Sequence, residues 1–461
     1  PLSSCGIYLD LTTCTLAEPR LKRACEMEWY WAFALLLGMV VSFMALGVPV
    51  AFSFLATNFI AVVIFAGTNG LIQVADNATQ LITRFTLAPV PMFILMGSIF
   101  FHTGLAVKVF DGLDAIFGRL PGRLCYVTVA GGSIFSTLTG SSMANTAMLG
   151  SLMVPEMQRR GYNKKMSMGP ILGTGGLAMI IPPSALGVLL AAIAEIDVGR
   201  LLVAGFLPGL VLAVLYAAMI TYQLLRDPGS APAYHVEPMR WTMRIKLVVT
   251  NILPMSFVVF MVIGFIVLGI ATPTEAAACG VLGVMILAAA YGSLTVKSIN
   301  ISLEATLKVG AMVFFIIMNS TVFSQMLAFS GASKGLIEWV TSFELHKFAI
   351  LLMMFVVLIL LGMFMDATSM MLITVPIFFP LAGALGFDLI WYGLFVLITI
   401  EMAGTTPPFG LLLYVMLGVA PKGTTLIEVA KAAFPFLICD TILILILIAW
   451  PGLALWLPSL M

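Results

Sequence analysis

The sequence predicts an all-α polytopic membrane protein made of two inverted repeats, each with one re-entrant helical hairpin and one broken helix. Three observations lead to this fold class. Of the 461 residues, 61% are hydrophobic and 9% are charged, whereas about a quarter of the residues in a soluble domain are charged. Gly, Ser, Thr, Asn and Pro interrupt apolar segments where a spanning helix should have none. The interruptions recur in the same order in the second half of the chain.

Composition also excludes several functions. A net charge of +1 gives no support for binding nucleic acid. The sequence contains no GxxxxGK motif for ATP phosphates and no HExxH motif for a catalytic zinc ion. Its six cysteines form no CxxC pair. We therefore expect neither enzyme activity nor a cofactor, and we interpret the chain as a protein surrounded by membrane lipid.

We assign residues 28–226 to the first repeat, after an N-terminal extension or linker over residues 1–27 that receives no function. A helix needs about 20 apolar residues to span a bilayer, so the polar segment Thr68–Leu87 is predicted to lie at the interface instead. A hairpin over about residues 120–157 and a broken helix over about 166–193 follow. The predicted regular spans are Trp29–Leu46, Val48–Phe65, Ala88–Leu105 and Leu201–Leu224.

A basic cytoplasmic loop over residues 227–245 leads to the second repeat, residues 246–461. This repeat contains a second hairpin over about residues 347–385 and a second broken helix over about 389–417. Its predicted regular spans are Ile245–Ile270, Thr274–Tyr291, Ala305–Phe329 and Ala432–Leu457.

Corresponding motifs relate the two repeats. Gly362 and Thr368 in the second hairpin match Gly140 and Thr146 in the first. Each repeat contains an odd number of crossings, so the second is inserted upside down relative to the first. Basic residues on both sides of the first hairpin place its two ends in the cytoplasm. We expect the second hairpin to enter the membrane from the outside.

A Pro-Pro pair interrupts each broken helix. Because proline cannot donate a backbone hydrogen bond, Pro182-Pro183 and Pro407-Pro408 should each divide a span into two half-helices with free carbonyl and amide groups. Free carbonyl groups suit a cation, and a half-helix N-terminus suits a carboxylate. The breaks therefore predict a site that binds an ion and an acid.

Polar residues at the hairpin tips and at the breaks are the candidate ligands. A carboxylate deep in a membrane segment costs about 2.5–3.5 kcal/mol on insertion scales, which favours a functional role for Asp366 and Glu401. The candidate ion-binding residues, for Na⁺, are Ser98, Gly140, Ser141, Ser142, Asn145, Thr146, Pro182, Asp366, Thr368, Thr405, Thr406 and Pro407. The candidate substrate-binding residues are Ser142, Asn145, Ser184, Thr368 and Glu401.

Several polar residues also have structural explanations. The side chains at the first hairpin tip could cap their own turn. A capping box with Thr272 explains Glu275 better than ligand contact does. Ser98, Asn319 and Ser320 could equally hold neighbouring helices together.

These motifs resemble those of a known family. The sequence contains GVPVAF at Gly47, GSSMANTAMLGSLMVPEMQRRGY at Gly140, GPILGTGGLAMIIPPS at Gly169, ATPTEAAA at Ala271 and EMAGTTPPFG at Glu401. In these stretches the chain resembles the large membrane subunit, of the DctM or SiaM type, of tripartite ATP-independent periplasmic (TRAP) transporters. The resemblance extends over nearly all of the chain after Met27.

The resemblance implies a sodium-coupled importer of organic acids, such as dicarboxylates or sialic acids, in the bacterial inner membrane. It also implies two partners, a small membrane subunit of the DctQ or SiaQ type and a periplasmic substrate-binding protein of the DctP or SiaP type. An elevator motion, in which the hairpins and broken helices move as one transport domain, follows from the same resemblance. Two alternatives remain open at this stage: a stand-alone carrier of the divalent-anion/sodium symporter type, and a passive channel.

Overall fold

The computed structural model describes residues 27–65, 85–117, 120–139, 142–231 and 241–461, together with isolated positions between 66 and 84. Regular structure over this part of the chain is helical, without a strand. Within the described ranges, six helices are long and apolar enough to cross a membrane, or up to eight if each sharply bent pair counts as one span. The prediction of an all-α polytopic membrane protein is therefore confirmed.

The helices of the first half reproduce the predicted order. The hairpin is formed by α5 and α6, and the broken helix by α7 and α8, which meet at an angle of 46°. Most of the segment predicted to lie at the interface, Thr68–Leu87, falls outside the described residues. The helices are α1 (Trp29–Ala45), α2 (Val50–Phe65), α3 (Pro89–His102), α4 (Leu105–Phe117), α5 (Arg123–Thr139), α6 (Ser142–Arg159), α7 (Lys164–Ile180), α8 (Ala185–Ile193) and α9 (Val198–Arg226).

The second half repeats this order of elements. Here α15 and α16 form the hairpin, and α17 and α18 form the broken helix. A π-helical turn, Val248–Ile252, joins α10 to α11 within one predicted span. The helices are α10 (Trp241–Leu247), α11 (Leu253–Val267), α12 (Pro273–Ala290), α13 (Val296–Phe329), α14 (Ala332–Thr341), α15 (Lys347–Gly362), α16 (Ala367–Ala384), α17 (Leu389–Thr405), α18 (Leu411–Val419), α19 (Leu426–Ala449) and α20 (Gly452–Leu455).

Two helices, α4 and α14, were not predicted. Each follows a glycine in the left-handed region, Gly104 or Gly331, both with φ of +73°. A glycine there ends the preceding apolar helix at little steric cost. Both α4 and α14 contain charged residues, so they lack the continuous apolar run that predicts a spanning helix. The capping box of Thr272 and Glu275 is present, which confirms a structural use of Glu275.

By internal contacts the chain divides into two compact units, and the smaller one has its own buried polar contact. Within it, the Asn58 amide donates to the carbonyl oxygen of Asn319 at 2.8 Å. The ring of Phe54 meets that of Phe323 edge-on, with centroids 5.0 Å apart. Both contacts hold α2 against the C-terminal part of α13. This unit comprises the described residues of Pro1–Arg84, with Phe314–Ile350 and Leu372–Gly386.

The larger unit is built around the first half of each broken helix. It comprises Phe85–Val313, Leu351–Met371 and Phe387–Met461. In α7 every residue from Met166 to Ile180 is buried, and in α17 every residue from Trp391 to Ala403 is buried. A helix that is apolar and buried on all sides lies in the centre of its unit. Around α7 pack α5, α6, α9, α17 and α19.

The close packing of α9 on the broken helix gives a stability test. A methyl group on Gly205 would collide with the backbone carbonyl oxygen of Ile180, at the end of α7. We expect Gly205→Ala to destabilise the protein by about 1–3 kcal/mol, because a backbone atom cannot move aside as a side chain can. The measurement is the melting temperature of the purified protein in detergent.

Gly418→Ala in α18 is the matched control, since nothing lies within 4 Å of the added methyl group. Alanine is the better helix former by up to about 1 kcal/mol. We therefore expect the control to melt at the same temperature as the native protein or higher. Equal destabilisation by both substitutions would contradict the close approach.

Candidate functional site

The tip of the first hairpin carries buried polar side chains. Ser142, Asn145 and Thr146, in the first turns of α6, are 5%, 0% and 0% exposed. The side-chain amide of Asn145 donates to the carbonyl oxygen of Thr174 at 3.2 Å. This bond ties the tip to α7, the first half of the broken helix. Gly140 and Ser141, two other predicted ligands, lie outside the described residues.

The hydroxyl of Ser142 reaches the second broken helix. It donates to Oε2 of Glu401 at 2.7 Å. Glu401 lies in α17 and is 4% exposed, so its carboxylate is enclosed by protein. The tip of the first hairpin is therefore joined to a helix of the second repeat.

Two buried oxygens lie close to Gly175 of α7. A methyl group on this glycine would lie 3.0 Å from Oε1 of Glu401 and 3.3 Å from Oγ1 of Thr146. Neither oxygen has a hydrogen-bond partner within the described part of the chain. A buried carboxylate oxygen without a donor is costly unless a cation or another donor satisfies it. The residues present therefore fit a cation at this position.

The tip of the second hairpin is organised by Asp366. Its Oδ2 accepts hydrogen bonds from the backbone N–H groups of Thr368 and Ser369, at 3.0 and 3.2 Å. The hydroxyl of Ser369 donates to the other carboxylate oxygen. Asp366 therefore caps the N-terminus of α16, which gives this charge a structural role at the tip.

The two Pro-Pro pairs occupy the breaks, and both Pro-Pro bonds are cis. In the first break Ser184 accepts a hydrogen bond from the backbone N–H of Gly187 at 3.0 Å, so it caps α8. In the second, the hydroxyls of Thr405 and Thr406 donate to the carbonyl oxygen of Met402, at 3.1 and 2.6 Å. The hydroxyls of Ser184, Thr405 and Thr406 therefore form hydrogen bonds with the backbone of their own helices.

The hairpin tips and the broken helices border one cavity of about 370 Å³. This volume falls in the usual range for a small-molecule site, and the lining is largely apolar with few polar groups, as in most such sites. Among the residues that line it are Ser142, Met143, Met179, Ala185, Leu186, Met365, Asp366, Thr368, Glu401, Leu411 and Leu412.

The cavity gathers some predicted ligands and omits others. Ser142, Asp366, Thr368 and Glu401 line it. Ser98 does not line it, and its hydroxyl lies 3.3 Å from Nδ1 of His102 on the same helix. Pro182 and Pro407 shape the breaks but do not line the cavity. Ser184, Thr405 and Thr406, which bond within their own helices, do not line it either. Asn145 and Thr146 are buried behind its surface.

The sequence did not predict a role for one buried carboxylate, that of Asp440. Asp440 of α19 is 5% exposed, and the hydroxyl of Tyr216 donates to its Oδ1 at 2.5 Å. The sequence did contain a signal for Asp440, because an acidic residue in the middle of the span Ala432–Leu457 is costly unless it has a partner. Tyr216 could not have been identified as that partner, since 224 residues separate the two.

The sequence is similar to a known family of membrane permeases. The sequence model of the family described as "Tripartite ATP-independent periplasmic transporter, DctM component" matches residues 37–453. The C4-dicarboxylate TRAP transporter large permease protein DctM of Rhodobacter capsulatus is 30% identical over 446 residues, 93% of this chain and 99% of that protein. The sialic acid TRAP transporter large permease protein SiaM of Vibrio cholerae is 26% identical over 417 residues, 90% and 95% of the two chains.

A solved structure shares the fold. The YdaH transporter of Alcanivorax borkumensis matches with a TM-score of 0.59 over 86% of this chain and 89% of that chain. Its sequence identity is 13%, so the similarity concerns the fold alone.

The bond between Ser142 and Glu401 can be tested by removing its donor. We expect Ser142→Ala to lower the free energy of unfolding by about 1–3 kcal/mol, because it leaves a buried carboxylate oxygen without a partner. The measurement is the melting temperature in detergent. Ser151→Ala, on the same helix, is the control, because that exposed hydroxyl donates only to the carbonyl oxygen of Met148. If both variants melt like the native protein, Ser142 does not hold Glu401.

Proposed function

The chain belongs to the DctM component family of tripartite ATP-independent periplasmic transporters, and we propose that it couples import of an organic acid to entry of Na⁺. It is a multi-pass permease subunit of the bacterial inner membrane and not an enzyme. The observation that carries the proposal is the cavity of about 370 Å³ bordered by both hairpin tips and both broken helices. Sites at such breaks are typical of alternating-access carriers.

The carboxylate of the acid would be held by backbone groups. The first residues of α8 and α18, Ala185 and Leu411, both line the cavity. The N-terminus of a helix presents free N–H groups and the positive end of the helix dipole, which favour an anion. No Lys, Arg or His is among the described residues that line the cavity. Helix ends, hydroxyl groups and bound cations would therefore recognise the acid.

Na⁺ would bind beside the acid, at the two hairpin tips. At the first tip, Oγ1 of Thr146 and Oε1 of Glu401 are buried oxygens without hydrogen-bond partners in the described part of the chain. At the second, Asp366 and Thr368 line the cavity. A cation at each tip would offset the charge of Glu401, Asp366 and the incoming acid.

The substrate would be a small organic acid. The two relatives described above carry the names of a C4-dicarboxylate and a sialic acid transporter. Both kinds of substrate carry at least one carboxylate, which the helix N-termini at Ala185 and Leu411 would bind. We therefore propose only the class of substrate, which is an organic acid with at least one carboxylate.

Two partners belong to the proposal. The word tripartite in the family description implies three components, and we expect a small membrane subunit and a periplasmic protein that delivers the acid. A stand-alone carrier would need neither, and a passive channel would show no coupling. Co-purification with a small membrane subunit would rule out the stand-alone carrier. We also propose that the hairpins and broken helices move together in an elevator motion.

Transport into proteoliposomes tests the coupling. The chain is reconstituted with its small subunit, and the binding protein loaded with a radiolabelled acid is added outside. We expect uptake with an inward Na⁺ gradient and at least about tenfold less when choline replaces Na⁺. Uptake that persists without a Na⁺ gradient and without a proton gradient would reject the coupling.

Gly175→Ala tests the position of the cation in the same assay. The methyl group would press against Thr146 Oγ1 and Glu401 Oε1, at 3.3 and 3.0 Å. We therefore expect a several-fold higher Na⁺ concentration for half-maximal uptake. Gly418→Ala is again the control and should leave this concentration unchanged. An unchanged Na⁺ dependence of Gly175→Ala would contradict a cation bound by these two oxygens.

A further inference from the structure

We propose that Glu401 and Asp440 together hold a Na⁺ ion between α17 and α19, in a second position behind the hairpin tips. This inference rests on the proposed Na⁺ coupling, and it adds a site that the hairpin motifs do not predict. Its ligands come from the two carboxylates that lie deepest in the larger unit.

Asp440 is held in place by a tyrosine. The side chain of Tyr216 is fully buried, and its hydroxyl donates to Oδ1 of Asp440 at 2.5 Å. The ring of Tyr216 meets that of Phe436 edge-on, with centroids 5.3 Å apart. Because the ring is fixed by this packing, the carboxylate it holds has a defined position. Such a fixed ligand loses little freedom when an ion binds.

Glu401 and Asp440 share a small cavity. Its volume of about 10 Å³ is close to the room that a single water molecule or small cation needs. Apart from these two carboxylates, the cavity has an uncharged lining, formed by Leu172, Gly173, Thr405, Ala433, Phe436 and Leu437.

The charges of the two carboxylates need a partner. Ser142 and Tyr216 each supply one neutral hydrogen bond, to Glu401 and Asp440 respectively. A neutral hydroxyl group satisfies one carboxylate oxygen, but it does not neutralise the negative charge of the carboxylate. Oε1 of Glu401 has no hydrogen-bond donor among the described residues, and this side chain is more than nine-tenths buried, so the same carboxylate would bridge the ion at the first hairpin tip and the ion beside Asp440. Buried charges are normally paired or bound to a metal ion, and a cation in the shared cavity would serve both carboxylates.

Glu401 connects this position to the acid. It lines both the small cavity and the large one, so its negative charge faces the space that the organic anion would enter. A cation behind Glu401 reduces the repulsion between the two negative groups. Binding of the cation then raises the affinity for the acid, and the acid raises the affinity for the cation by the same factor.

The test is equilibrium binding of radioactive ²²Na⁺ to the purified full-length chain, without transport. We expect Asp440→Asn to bind fewer Na⁺ ions or to bind them at least about tenfold more weakly, as is usual when a supporting ligand is lost. Glu428→Gln is the matched control, because it removes one carboxylate from the exposed start of the same helix, where it pairs with Lys164. The control should bind Na⁺ like the native chain.

Glu401→Gln and the double variant make the test independent of one substitution. If both carboxylates hold the same ion, the double variant loses no more Na⁺ binding than Glu401→Gln alone, since the effects of residues that contact the same ion are not additive. Native Na⁺ binding by both single variants would overturn the inference. It would then follow that the pair is neutralised by protons alone.

The two proposals fail in different ways. If the native protein takes up acid without Na⁺, the coupling is rejected, yet weaker ²²Na⁺ binding by Asp440→Asn would still support the ion between α17 and α19. If uptake depends on Na⁺ and Asp440→Asn binds Na⁺ normally, the coupling stands and only this second position is rejected.

Discussion

The structure depends on the need of every backbone polar group for a partner when water is absent. In hydrocarbon each unpaired N–H or C=O group costs several kcal/mol, so a helix can break only where protein encloses it. This explains why α7 and α17 are buried on all sides just before their breaks. The helices packed around them let the free ends of α8 and α18 face a cavity instead of lipid.

The sequence predicted the fold because each feature left a local signal. Apolar length marked the spans, Pro-Pro pairs marked the breaks, and a polar run such as TGSSMANT marked a hairpin tip. The helices α4 and α14 were missed because their charged faces gave no continuous apolar run. The boundary of the repeats at residues 227–245 and the opposite entry of the two hairpins remain predictions.

The site was harder to predict, because the type of a residue does not show whether its side chain binds a ligand or caps a helix. Asp366 was chosen for its charge, and it caps α16. Ser184 was chosen for its hydroxyl, and it caps α8. The approach of Thr146 and Glu401 to Gly175 and the pairing of Tyr216 with Asp440 bring together residues from distant parts of the sequence. Such pairings arise only in the folded chain, and a single sequence carries no record of them.

The bond between Ser142 and Glu401 joins residues that are 259 positions apart, which has a consequence for how the protein is made. A ribosome adds about 5–20 residues per second, so roughly 13–50 seconds pass between the synthesis of the serine and that of its acceptor. During this time the first hairpin is already in the membrane with an unfinished tip. The hydroxyl of Ser142 gains its acceptor only when α17 has been made, so a helix of the second repeat completes the first repeat as well as its own.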